Sequence, residues 1–156
     1  MITTNLPAEK QLNILVVDDE AGTRTALDMV LKLAGHQVHF AADGDEALEM
    51  FENSVAAFDL IITDHLMVRV SGLDLARQLR ERGFAGEIVV LTAYAGRIEE
   101  DEYRKLEVAG IIGKPFDLSE LRLWLDCIFR SREQARAMGK ISGPPSSISF
   151  CWLRHE

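Results

Sequence analysis

Five short, nearly unbroken aliphatic runs alternate with five stretches of helical periodicity between Leu12 and Ile128, and few folds can satisfy that pattern. The runs are Leu12–Val17, Val38–Ala41, Leu60–Thr63, Glu87–Leu91 and Ala109–Ile112. Strands that read as continuous apolar runs are buried on both faces, the habit of a parallel sheet covered by helices on either side. The segments between them space apolar residues three and four apart. Leu27, Val30, Leu31 and Ala34 do so in Arg24–Ala34, which Gly35 ends, and Ala47, Leu48, Phe51 and Val55 in Asp45–Val55. Leu75, Ala76 and Leu79 do so in Leu73–Glu81, and Leu118, Leu121, Leu125 and Ile128 in Leu118–Ile128. Arg97–Leu106 is the weak helix: Ile98 and Leu106 form a thin apolar face among Glu99, Glu100, Asp101 and Glu102. With right-handed crossovers, the expected fold class is α/β: an open, doubly wound, five-stranded parallel sheet with five helices. Five units cannot close an eight-stranded barrel.

The 156 residues suffice for a single domain, here expected over 11–130, with 1–10 as an N-terminal extension and 131–156 as a partly flexible C-terminal tail. The tail contains the linker-like Ser142-Gly143-Pro144-Pro145-Ser146-Ser147 and ends in an apolar stretch, Ile148 to Leu153, able to dock on its own domain or on a partner. Only nine residues follow the linker, too few for a second folded domain. A net charge of −8 argues against direct nucleic-acid binding, which requires clustered Lys and Arg. No run approaches the roughly 20 apolar residues of a membrane span. Met1 to Gln11 holds no signal-peptide core, and Cys127 and Cys151 have neither CxxC nor metal-ligand spacing. Together these features predict a cytoplasmic protein away from the membrane, with Cys127 packed within the last helix.

In doubly wound sheets ligands bind beyond the C-terminal ends of the strands. Here those ends carry Asp18-Asp19, Asp64, Thr92 and Lys114, so three carboxylates, a hydroxyl and an ammonium should converge on one edge. Clustered carboxylates oppose each other's ionisation unless a cation intervenes, and hard oxygen donors suit Mg²⁺. A carboxylate can also attack a phosphoryl group, a transfer that needs positioning and charge neutralisation more than covalent help. Taken singly, each residue has a plainer reading: Asp18 or Asp19 as a helix N-cap, Asp64 as a turn residue, Thr92 as a strand-end hydroxyl, Lys114 as a solvated cation. Their joint placement is the specific signal. The scattered His36, His39, His65 and His155 form no metal set, and strand alternation should turn His65 away from the acids.

Over residues 11–130 the chain resembles the receiver domains of two-component response regulators. The resemblance rests on Val16-Val17-Asp18-Asp19-Glu20, Asp43-Gly44 with Ala47-Leu48, Asp64 with Met67 and Gly72, Leu91-Thr92-Ala93, and Gly113-Lys114-Pro115-Phe116. It implies a flavodoxin-like strand order 2-1-3-4-5 and a signalling module rather than an enzyme. It implies Asp64 as phospho-acceptor. Mg²⁺ would be held by Asp18, Asp19 (the more direct ligand), Asp64 and the backbone carbonyl of Leu66. Thr92 would meet the phosphoryl group and Lys114 pair with it, and the Lys114–Pro115 bond is often cis in the family. The implied donor is a histidine kinase or histidine phosphotransfer protein. The output partner is unspecified, with output by protein contact from a stand-alone receiver, and a homodimer is left open.

The chain departs from the family pattern in three places. Val68 stands where proline often follows the methionine after the acceptor. Ile111 replaces the usual aromatic three residues before the lysine, leaving Tyr94 as a candidate substitute. Leu66 and Tyr94 flank the path of the hydrolytic water and offer no carboxamide or carboxylate to orient it, which predicts slow self-dephosphorylation. The charged Arg97–Leu106 helix is expected to be the mobile element. Rival readings are a relay intermediate and a degenerate receiver used for docking. An aspartyl-phosphate phosphatase lacks support because Asp18-Asp19 is not an Asp-x-Asp motif. A dinucleotide-binding domain would need a glycine-rich turn where Asp18 to Gly22 carries acids.

Overall fold

The computed structural model describes residues 11–93 and 99–139. Each aliphatic run becomes a strand: β1 (Asn13–Val17), β2 (Gln37–Ala41), β3 (Leu60–Asp64), β4 (Glu87–Thr92) and β5 (Gly110–Gly113). The helices between and after them are α1 (Ala21–Leu33), α2 (Gly44–Asn53), α3 (Gly72–Glu81), α4 (Glu100–Lys105) and α5 (Leu118–Ala137). All strand pairs are parallel, in the order β2-β1-β3-β4-β5, as the sequence and its resemblance implied.

Strand alternation divides the interior into two layers. Leu15, Val17, Ile61, Ile88 and Val90 face one side and pack with Ala47 and Leu48 of α2, Leu75, Ala76 and Leu79 of α3, and Tyr103 of α4. Ile14, Val16, Leu60, Ile62, Val89 and Leu91 face the other and meet Leu27 and Leu31 of α1 and Leu121, Trp124, Leu125 and Ile128 of α5. Each such fully buried aliphatic side chain contributes about 1.5–3 kcal/mol through removal from water. Both sides of the sheet are therefore sealed, and its C-terminal edge is left to carry polar chemistry.

Local signals set the helix ends. Ser71 caps α3, accepting from the Asp74 N–H at 3.1 Å while its hydroxyl donates to the Asp74 carboxylate at 3.0 Å. Asp43 caps α2 by accepting from the Glu46 N–H at 2.9 Å. Gly35 and Gly83, at φ of 92° and 85°, stop α1 and α3 in the left-handed conformation, and the next residues return N–H bonds to Leu31 and Leu79.

Several expected positions differ. α2 ends at Asn53, so Val55 lies beyond it and is exposed rather than inward. Leu118, the first residue of α5, is exposed because the buried face is set by Leu121, Trp124, Leu125 and Ile128. Cys127 falls just off that face and is exposed, not packed. α5 continues to Ala137 instead of ending near Ile128. α4 is anchored by Tyr103, which is fully buried, whereas Leu106 is only partly so and Ile98 lies outside the described residues. Tyr94 and the linker-like stretch with the apolar end of the tail also lie outside the described residues. No described helix is long and apolar enough to cross a membrane.

Candidate functional site

Parallel pairing aligns the strand ends. Val17 is level with Ala41 and Thr63, Asp64 with Leu91, and Thr92 with Gly113. The residue after each aliphatic run therefore emerges at the same edge. That edge brings Asp18, Asp19 and Asp64 together: one carboxylate oxygen from each lies within 4.8 Å of the others. Lys114 reaches into the group, with Nζ 3.0 Å from Asp18 Oδ2 and 3.5 Å from Asp64 Oδ1. Thr92 is buried at the end of β4, and its carbonyl accepts the Lys114 N–H at 2.6 Å. Four of the expected side chains, those of Asp18, Asp19, Asp64 and Lys114, thus meet at this edge, Thr92 ends β4 at the same edge, and the Lys114–Pro115 peptide is cis.

The three acids are not equivalent. Asp18 is wholly buried; its carboxylate accepts from the Glu20 N–H at 2.8 Å and from Lys114. Its carbonyl accepts from Arg24 Nη1 at 2.6 Å, which fixes the turn from β1 into α1. Asp19 is exposed, and Asp64 sits between these extremes. Thr63 Oγ1 donates to the Asp64 carbonyl at 3.1 Å, and Gly72 closes behind it with its N–H on the His65 carbonyl at 2.9 Å. Leu66 and Val68, in the loop that leaves β3, are exposed.

Burial pushes the Asp64 carboxyl above its ordinary value, against the pull of Lys114 and with the added push of Asp18. For Lys114, burial acts downward, but the bonds and charges of Asp18 and Asp64 outweigh it and hold the ammonium above its usual range. Hard carboxylate oxygens this close, one of them resisting ionisation, suit a small divalent cation such as Mg²⁺. The residues present fit the ion that the sequence implied.

The sign for stability follows from Asp64. Its folded-state value lies above the unfolded one, so the folded form binds the proton more tightly. That contribution is complete below the ordinary value of 3.8 and is lost as pH rises through the folded value. Asp64→Asn is therefore expected to melt above the parent at pH 7 in chelator-treated, metal-free buffer, with the gap closing as pH falls. Thermal scans across pH check it, and a parent that melts as high as the variant at pH 7 contradicts it.

Sequence reasoning missed one neighbour of the site. The His65 ring does turn away from the acids, and its Nδ1 lies 2.7 Å from the hydroxyl of Tyr103. The apolar periodicity of α4 was too weak to single out Tyr103 among its charged neighbours.

Comparison with known proteins identifies the family and the fold. The family model described as the response regulator receiver domain matches residues 14–126. A probable transcriptional regulatory protein of Picosynechococcus is 35% identical over 147 residues, which is 90% of this chain and 58% of that protein. The response regulator MprA of a Mycobacterium species is 35% identical over 135 residues, covering 86% of this chain and 55% of its own. The chain thus spans a little over half the length of these curated relatives. Among solved structures, the chemotaxis response regulator CheY4 of Vibrio cholerae superposes with a TM-score of 0.70 at 28% identity, covering 76% of this chain and 98% of that one. The response regulator TrrA of Thermotoga maritima, solved in complex with Mg²⁺ and BeF, gives 0.66 at 32% identity, covering 74% and 96%. Sequence and fold lead to one family, and the chain belongs to the response regulator receiver domains, signalling modules of two-component systems that interact with histidine kinases or phosphotransfer proteins.

Proposed function

We propose that this receiver accepts a phosphoryl group on Asp64 in a Mg²⁺-dependent reaction. The observation that carries the reading is the convergence of Asp18, Asp19 and Asp64 within 4.8 Å, with Lys114 bonded into the group. The relative solved with Mg²⁺ and BeF supports it by likeness. Asp18 and Asp19 would hold the ion with Asp64 and the Leu66 carbonyl; the bound ion would offset negative charge on the transferring group. An Asp64 carboxylate oxygen attacks phosphorus and forms an acyl phosphate. The phosphorus–nitrogen bond of a phosphohistidine donor breaks, and its electron pair stays on the imidazole. Lys114 pairs with the phosphoryl oxygens and Thr92 donates its hydroxyl to them. The donor is a histidine kinase or a histidine phosphotransfer protein, and output passes by protein contact.

Incubation with Mg²⁺ and acetyl phosphate tests this directly. Intact-mass measurement should show one added phosphoryl group, lost when a chelator is present from the start. Absence of the adduct at saturating acetyl phosphate would overturn the assignment and favour a receiver used only for docking.

The same site predicts a long-lived acyl phosphate. Leu66, two residues past Asp64, is 55% exposed and presents hydrocarbon where a polar group could orient a hydrolytic water. Leu66→Asn should speed decay of the Asp64 phosphate on the order of tenfold, a modest fraction of what a well-placed general base supplies. Decay of isolated phosphoprotein, followed by mass or released phosphate, checks it. Equal rates in parent and variant would show that Leu66 does not set the lifetime.

A further inference from the structure

Tyr103 is the single buried residue of α4, and it is wholly enclosed. Its hydroxyl meets His65 Nδ1 at 2.7 Å, and the two rings lie edge to face with centroids 5.7 Å apart. Burial holds the phenol well above its usual range, with Glu99 and Asp64 adding to the rise, so the hydroxyl keeps its proton. One partner then donates to the other whichever tautomer the imidazole adopts.

The remaining attachments of α4 are unequal. Its N-terminal end lacks a side-chain cap: Glu99 supplies no such bond. Arg77 of α3 approaches Glu102 at 3.9 Å, but both are substantially exposed, and such pairs contribute little. The C-terminal end is pinned. Arg80 donates from Nε to the Leu106 carbonyl at 2.8 Å and from Nη2 to the Glu107 carbonyl at 3.0 Å, and Glu107 turns the chain at φ 53°. α4 is therefore a short lever held at its C-terminal end, with Tyr103 as the catch along its length.

The catch adjoins the acceptor. The His65 backbone N–H is bonded to the Leu91 carbonyl at 2.8 Å, which ties the residue after Asp64 to β4. Behind it the chain has no slack. A Cβ on Gly72 would stand 2.3 Å from the Asp64 carbonyl and 3.0 Å from His65 Cα. A phosphoryl group brings a charge of about −1.5 to −2 and three acceptor oxygens to this point. The His65 peptide is next in the chain to the side chain that would carry this charge, and its ring lies against Tyr103.

We propose that the His65–Tyr103 hydrogen bond is the catch through which modification of Asp64 releases α4. Ile111 packs against the same buried cluster as Tyr103 and offers α4 no polar group. The proposal rests on Asp64 being the phospho-acceptor.

The test uses the whole chain with Mg²⁺ and beryllofluoride as the phosphoryl mimic. Two quantities are read: beryllofluoride binding by ¹⁹F NMR, and amide hydrogen exchange of residues 100–106 with and without it. In the parent, the mimic should speed exchange in α4 on the order of threefold to tenfold, what one hydrogen bond is worth. Tyr103→Phe keeps the ring and removes the hydroxyl. It should bind the mimic as the parent does and exchange faster in its absence, with less than about a twofold further change on binding. His65→Phe removes the other partner and should give the same pattern, and the double variant should add nothing to either single change. A purely structural role would speed exchange equally with and without the mimic and leave the ratio at the parent's value, which overturns the catch. So does a parent that binds the mimic without any response in α4. A parent that binds no beryllofluoride overturns the Asp64 reading and the catch with it.

Discussion

Asp64→Asn is expected to take up no phosphoryl label from acetyl phosphate or from a phosphorylated donor, while the parent labels readily. The carboxamide keeps the size and shape of the side chain but lacks the anionic oxygen that attacks phosphorus. Asp18 is an unsuitable substitute because it is fully buried and already bonded to the Glu20 N–H and to Lys114. Labelling should fall by at least about two orders of magnitude, the scale on which loss of an essential reacting group registers. The metal-free variant should also melt above the parent at neutral pH, so an unlabelled protein cannot be dismissed as unfolded. Label retained on Asp64→Asn would move the acceptor elsewhere and remove the basis of the proposed function.

Gly72→Ala should be the most damaging conservative change near the site. The new methyl would lie 2.3 Å from the Asp64 carbonyl oxygen and 3.1 Å from its carbonyl carbon, both backbone atoms of a central strand. A flexible side chain could swing aside, but β3 is paired on both edges and cannot. Overpacking of this kind costs about 1–3 kcal/mol, and here the strain falls on the acceptor itself. Denaturant unfolding should show the loss, and the rate of labelling by acetyl phosphate should drop with it. A variant as stable as the parent would mean that α3 can slide away from β3 at little cost.

Most of the architecture is legible in the order of residues alone. Runs such as Ile14 to Val17 and Leu60 to Ile62 are apolar on both faces, and only a sheet covered on both sides can bury them. Once those strands are parallel, the residue after each run has to appear at a common edge, which is why Asp18, Asp19, Asp64, Thr92 and Lys114 could be named as a group. Helix ends were less legible. Val55 and Leu118 continue an apolar period that the helices do not follow, because Asn53 ends α2 and the α5 face is set by Trp124 and its neighbours. Periodicity reports that a face exists and is a poor guide to where it stops.

The α4 region shows the opposite limit. Its charges suggested a loosely held helix, and the sequence had no means of revealing that Tyr103 is sealed in the core. The hydroxyl and the His65 ring are 38 residues apart and belong to no repeating pattern. The order of residues was enough to dictate the parallel sheet and the charged edge, because both follow from local hydrophobicity and the regular geometry of strands. The contact between α4 and the acceptor strand was decided only when two helical layers closed on that sheet, since packing across distant segments leaves no periodic trace in the chain.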